Sequence, residues 1–214
     1  MASAARSAPL PESGSALVED PQFQEILQRS RSLTQKILDS IADTHSSCVH
    51  TEVRRSNLAE ETFLRFGWIY AGNPAASLFS TMATNIGIPP APVLSNVSEN
   101  FTLETSLRVM HDGLQLHQGL LSSIAPRLAE KDKVVALMSD VRDLKIQITK
   151  MKKMNQSHTA APPTSGSVEL RLPGEFEVQV AAHLTLVQLK TFSRDVARCL
   201  RSLDHSTAAA DNQR

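Results

Sequence analysis

Four segments of this chain carry apolar residues at steps of three and four, and they are joined by a long, a short and a long connection. Such spacing places side chains on one face of a helix. The connection lengths then restrict the topology. A long connection lets the chain travel the length of a bundle, so the first and second predicted helices run parallel. The short link makes the second and third antiparallel, and the second long link makes the third and fourth parallel. The expected fold is all-α, an up-up-down-down four-helix bundle with two long crossover loops.

The first predicted helix covers about 21–52, with Phe23, Ile26, Leu27, Leu33, Ile37, Leu38 and Ile41 on its stripe, which weakens around Ser30. Asp20 before Pro21 reads as an N-cap followed by a first-turn proline. The second covers about 103–125, where Leu107, Met110, Leu114, Gln118 and Leu121 share a face that Leu116 and Leu120 widen. Pro126 ends it. The third covers about 128–154, marked by Val134, Leu137, Met138, Val141, Leu144, Ile148 and Met151. The fourth covers about 173–203, with Val180, Leu184, Val187, Phe192, Val196 and Leu203 as inward candidates. Residues 1–19, rich in Ala, Ser and Pro, read as a disordered N-terminal segment, 20–204 as the bundle and 205–214 as a disordered polar tail. The stretch 54–92 is long and irregular, but 58–70 has the composition of a short helix lying across the bundle.

With 22 basic and 22 acidic side chains, the formal net charge is zero. That balance argues against nucleic acid or an anionic membrane as the main partner, and no apolar run approaches a membrane span, so no membrane insertion is expected. The start lacks an apolar h-region, so this chain shows no signal peptide. Met1 is expected to stand near a natural cleavage site. Two cysteines, Cys48 and Cys199, make neither a disulfide framework nor a zinc pattern and by themselves lean cytosolic. They are expected at opposite poles of the bundle, on the order of 20 Å apart along the axis, and therefore unbonded.

No phosphate-binding glycine loop, nucleophile elbow or helical HExxH motif occurs, so no enzyme, metal or cofactor is expected. His45 and Cys48 are three apart, but a structural role suits them better than metal binding. Lys150, Lys152 and Lys153 end the third helix, where the helix dipole favours cations. Three glycosylation triplets begin at Asn96, Asn100 and Asn155, all in predicted loops or helix ends.

The run Met110–Ile124, the block from Ile86 to Pro92 (IGIPPAP) and the run from Val178 to Leu203 match, in order and spacing, the granulocyte colony-stimulating factor family, within the interleukin-6 group of long-chain cytokines. The resemblance covers about 33–203, with a poorly matched middle of the first loop. Lys36-Ile37-Leu38-Asp39-Ser40-Ile41 resembles the family's Lys-Cys-Leu-Glu-Gln-Val, and Asp140-Val141-Arg142-Asp143 resembles its Asp-Val-Ala-Asp. The resemblance implies that Lys36, Asp39, Asp140 and Asp143 form one receptor-binding face on the first and third helices, where carboxylates would meet receptor arginines. Glu60-Glu61 resembles the family's Pro-Glu-Glu-Leu without its proline, which places Glu61 on a second, first-loop receptor face.

The departures suggest a divergent, non-mammalian member. The family's two first-loop disulfides have Asn96 and Ser106 at the downstream pair, and only Cys48 could correspond to the upstream one. The fourth helix carries an interleukin-6-like spacing, HLxLxxxKxF and then RxLRxL. What the resemblance implies is a secreted, monomeric ligand that dimerises a class I cytokine receptor through its ectodomains and promotes granulocyte and myeloid proliferation and differentiation. An interleukin-6-like immune cytokine is the nearest alternative. An intracellular helical adaptor is the alternative of another class, since it would suit the sparse cysteines.

Overall fold

The computed structural model describes residues 17–49, 74–94, 102–155 and 168–211. Among them are five α-helices, one 3-10 turn and no strand. Helix α1 (Pro21–Cys48) begins at Asp20, whose Oδ1 accepts from the backbone N–H of Gln22 at 2.7 Å and of Phe23 at 3.2 Å. The cap satisfies amides that have no intrahelical partner. The helix stops short of the expected limit near 52, because Val49 turns extended and buries its side chain. Ser30, Thr34 and Thr44 sit in the buried stripe of α1. Each hydroxyl donates to the carbonyl four residues earlier, at 2.7 to 2.8 Å, so the weak part of the stripe costs no unpaired polar group.

Helix α2 (Pro74–Ile86) lies within the stretch that the sequence read as irregular. Its lack of charged residues and its run of Ala, Ser and Thr hid it. The helix expected at 58–70 lies outside the described residues. α2 ends at Gly87, which has φ of +88°. Ile88 N–H donates to Ala83 O and Gly87 N–H to Thr84 O, the paired bonds of a Schellman cap that favours glycine at this position.

Helix α3 (Leu103–Ile124) continues into a 3-10 turn (Ala125–Arg127) containing Pro126. Leu128 then turns extended with its side chain buried. Helix α4 (Asp132–Asn155) consequently starts four residues later than the sequence suggested. Helix α5 (Glu175–Asp211) runs past the expected limit near 203. Ala208, Ala209 and Ala210, strong helix formers, fall within the extension.

α1 and α3 each pack against both α4 and α5, and α2 packs against α5. That arrangement buries the run 178–183 of α5 almost completely, polar Gln179 and His183 included. Leu186 and Leu189 take core positions where the sequence placed Leu184 and Val187, which are half-buried. Both connections are tied where they approach the bundle. Arg171 N–H donates to Ile86 O at 2.8 Å, Gln188 Nε2 to Pro89 O at 3.0 Å and Ser123 Oγ to Val168 O at 3.2 Å.

At Gly113 the backbone of α3 comes directly against a side chain of α5. A Cβ on Gly113 would lie 2.1 Å from Phe192 Cζ, so the bare backbone of α3 makes room for the ring. The His117 imidazole stacks on the same ring, with centroids 5.3 Å apart. Its Nδ1 donates to Gly113 O at 2.7 Å, leaving buried Nε2 without a partner. Gly113 and His117 therefore occupy the buried face, whereas Gln118, placed there by the sequence, is half-buried.

Gly113→Ala should destabilise the protein. Overpacking costs about 1–3 kcal/mol, against about 1 kcal/mol gained in helix propensity. In a double-mutant cycle by urea denaturation, Phe192→Leu should show favourable coupling to Gly113→Ala. Additive effects would mean that the two residues do not meet.

Burial pushes the His117 pKa down to about 4, below an unfolded value of 6.5, partly offset by the Gly113 carbonyl. The unfolded chain thus binds the proton more readily between these values. This contribution to stability is complete above about pH 6.5 and falls as pH drops toward about 4, by on the order of 3 kcal/mol. The loss of stability between pH 7 and 4.5 should be smaller for His117→Phe than for wild type. Equal losses would show that His117 does not titrate against folding.

Candidate functional site

The face shared by α1 and α4 holds the residues that the sequence singled out. Lys36 on α1 and Asp140 on α4 meet directly, Nζ to Oδ1 at 2.7 Å. The sequence treats both acids of α4 as surface groups, but only 12% of the Asp140 side chain is exposed, against 62% for Lys36. Val141 and Leu137, both buried, flank it in the heptad pattern and draw it inward. Its carboxylate is thus committed to an internal counter-ion. Asp143, one turn on, is half-exposed and lies 3.6 Å from Arg142 Nε. Asp39 is exposed and accepts a hydrogen bond from Gln35 Nε2 at 2.7 Å. Of the three acids, Asp39 alone has no ion-pair partner among the described residues. The surface is a strip of mixed charge in which Asp39 can still take a guanidinium at full strength.

No family model matches the chain. Over 119 residues it is 33% identical to granulocyte colony-stimulating factor of Felis catus, a match covering 54% of this chain and 60% of the cat protein. The Canis lupus familiaris protein of the same name is 32% identical over 119 residues, covering 54% of this chain and 66% of that one. For Sus scrofa the identity is 32% over 122 residues, covering 56% and 61%.

The chain is a divergent relative of granulocyte colony-stimulating factor.

The matches span less than two thirds of the length of these granulocyte colony-stimulating factors. Of the remaining positions that the resemblance marks, Glu61, Asn96 and Asn100 lie outside the described residues. Asn155 is the last residue of α4 and is half-exposed. No helix among the described residues is long and apolar enough to cross a membrane.

Two polar contacts were not foreseen. His45 Nε2 and His183 Nδ1 lie 2.9 Å apart and join α1 to α5, with Phe79 of α2 against the His183 ring. No local pattern signals a pair so far apart in sequence. Lys145 Nζ reaches Gln118 Oε1 at 2.5 Å across α3 and α4, which explains why Gln118 interrupts an apolar stripe. Partial burial lowers the Lys145 pKa. Cys48 and Cys199 are both buried and unbonded, as expected. Burial raises both thiol pKa values, that of Cys48 to about 11, so both are protonated and poor nucleophiles at neutral pH.

Asp140→Ala should cost about 1–2 kcal/mol of stability through the lost charged hydrogen bond. Asp39→Ala should cost less than about 0.5 kcal/mol. Chemical denaturation of both variants checks this ordering, and equal effects would put Asp140 on the open surface.

Proposed function

We propose that this protein is a secreted cytokine of the granulocyte colony-stimulating factor type, which binds and dimerises a class I cytokine receptor and promotes granulocyte and myeloid proliferation and differentiation. The observation that carries the reading is the Lys36–Asp140 contact. It brings together the two stretches that resemble the family's receptor-binding segments, in a chain similar to granulocyte colony-stimulating factors.

The proposed topology is up-up-down-down. In its support, His45 near the end of α1 meets His183 near the start of α5. Ser106 near the start of α3 hydrogen-bonds Cys199 toward the end of α5. Both α1 and α3 then oppose α5, and the short turn at 125–131 reverses α4 against α3. In this arrangement Asp39 and Asp143 lie on opposite axial sides of the Lys36–Asp140 bridge. Each is three residues from it, so they are about 9 Å apart along the bundle. The receptor face is accordingly two exposed carboxylates flanking a neutralised centre. Lys36 and Asp140 position the helices, and Asp39 makes the strongest receptor contact. Glu61 belongs to the second receptor face, and Asn96, Asn100 and Asn155 are the glycan acceptors.

Titration with receptor ectodomains tests the assignment. Asp39→Ala should weaken the first receptor contact by about 2 kcal/mol, roughly thirtyfold. Glu61→Arg should keep that affinity yet fail to dimerise the ectodomains. Unchanged affinity for the first variant removes Asp39 from the face, and normal dimerisation by the second removes Glu61.

A further inference from the structure

The outward face of α5 in its C-terminal half is basic. Arg194, Arg198 and Arg201 are all exposed and stand at i, i+4 and i+7, so they form one row. Along the axis the row covers about 10 Å. Asp195 is the acid among them, and it is ion-paired to Arg198. Neither Arg194 nor Arg201 is in an ion pair among the described residues. α4 packs on α1 and α3, as α5 does, so the two helices stand diagonally across the bundle and the lysines that end α4 are no part of this row. Because the whole chain is formally neutral, the row is local polarity rather than general basicity.

We propose that the arginine row on α5 binds a sulfated polysaccharide. Anionic membranes are the poorer fit, because a membrane-binding helix sets large apolar side chains beside its basic ones. The neighbours exposed on the arginine row are Thr191 and Ser202. Single-stranded nucleic acid fits poorly for a related reason, since its binding sites stack bases on aromatic rings, and the row has none. What remains is an open row of guanidinium groups, which pair with sulfate oxygens in bidentate fashion as they do with other oxyanions. The α1–α4 face is a separate surface, so a ligand here would leave Asp39 free.

Salt-gradient elution from immobilised heparin tests this, with the full-length protein. Wild type should be retained above about 0.15 M salt, near physiological ionic strength. R194A/R198A/R201A should elute earlier, with a circular dichroism melt matching wild type, and K150A/K152A/K153A should elute closer to wild type than the arginine variant does. Asp39→Ala should elute with wild type while losing receptor affinity, which separates this proposal from the receptor assignment. Three results would overturn it: wild type passing through at about 0.15 M salt, the arginine variant eluting with wild type, or tighter retention on phosphatidylserine vesicles than on heparin.

Discussion

The contact of Phe192 with the bare backbone at Gly113 sets the spacing of this bundle. A side chain at Gly113 would hold α3 and α5 apart, and the rest of the packing depends on their closeness. α5 touches α1, α2 and α3, so it is the helix that most of the others share. Its run at 178–183 is enclosed on all sides, which a helix at the rim of a bundle could not be. His117 fills the space beside Phe192 with a ring that stacks and bonds its own helix. The arrangement leaves one buried nitrogen unpaired, which ties the packing of this seam to pH.

Polar contacts add to the buried apolar stripe that holds α4. Lys36–Asp140 links it to α1, and Lys145–Gln118 links it to α3. This has a consequence for recognition. An acid held by an internal lysine offers little to a partner, because its charge is already compensated. The proposed receptor face therefore depends on the carboxylates left beside the bridge rather than on the one within it.

The charge layout gives the two proposed surfaces opposite character. The α1–α4 strip mixes signs, whereas the outward arginine row of α5 is mostly of one sign. Mixed strips give selective docking, and rows of one sign give salt-dependent attraction to polyanions. A neutral chain can carry both, because net charge constrains the sum and not the distribution.

By itself the sequence determined the helical class, the Asp20 cap, much of the core of four long helices and the likeness to granulocyte colony-stimulating factor. These are legible because caps and stripes depend on neighbours within about a turn or two of chain. Helix limits were less legible. Val49 and Leu128 leave helical geometry to bury their side chains, and that choice depends on what lies opposite them. α2 went unseen for want of charged residues on an outer face, and it is a helix that packs on α5. The site residues Lys36, Asp39, Asp140 and Asp143 were named from the chain, but tertiary structure decided which of them are open. Burial and ion pairing arise between α1 and α4, and a carboxylate has the same local signature whether it faces solvent or a lysine from another helix. The same reason hid the His45–His183 pair and the role of Gly113, whose partners lie far away along the chain and close only in space.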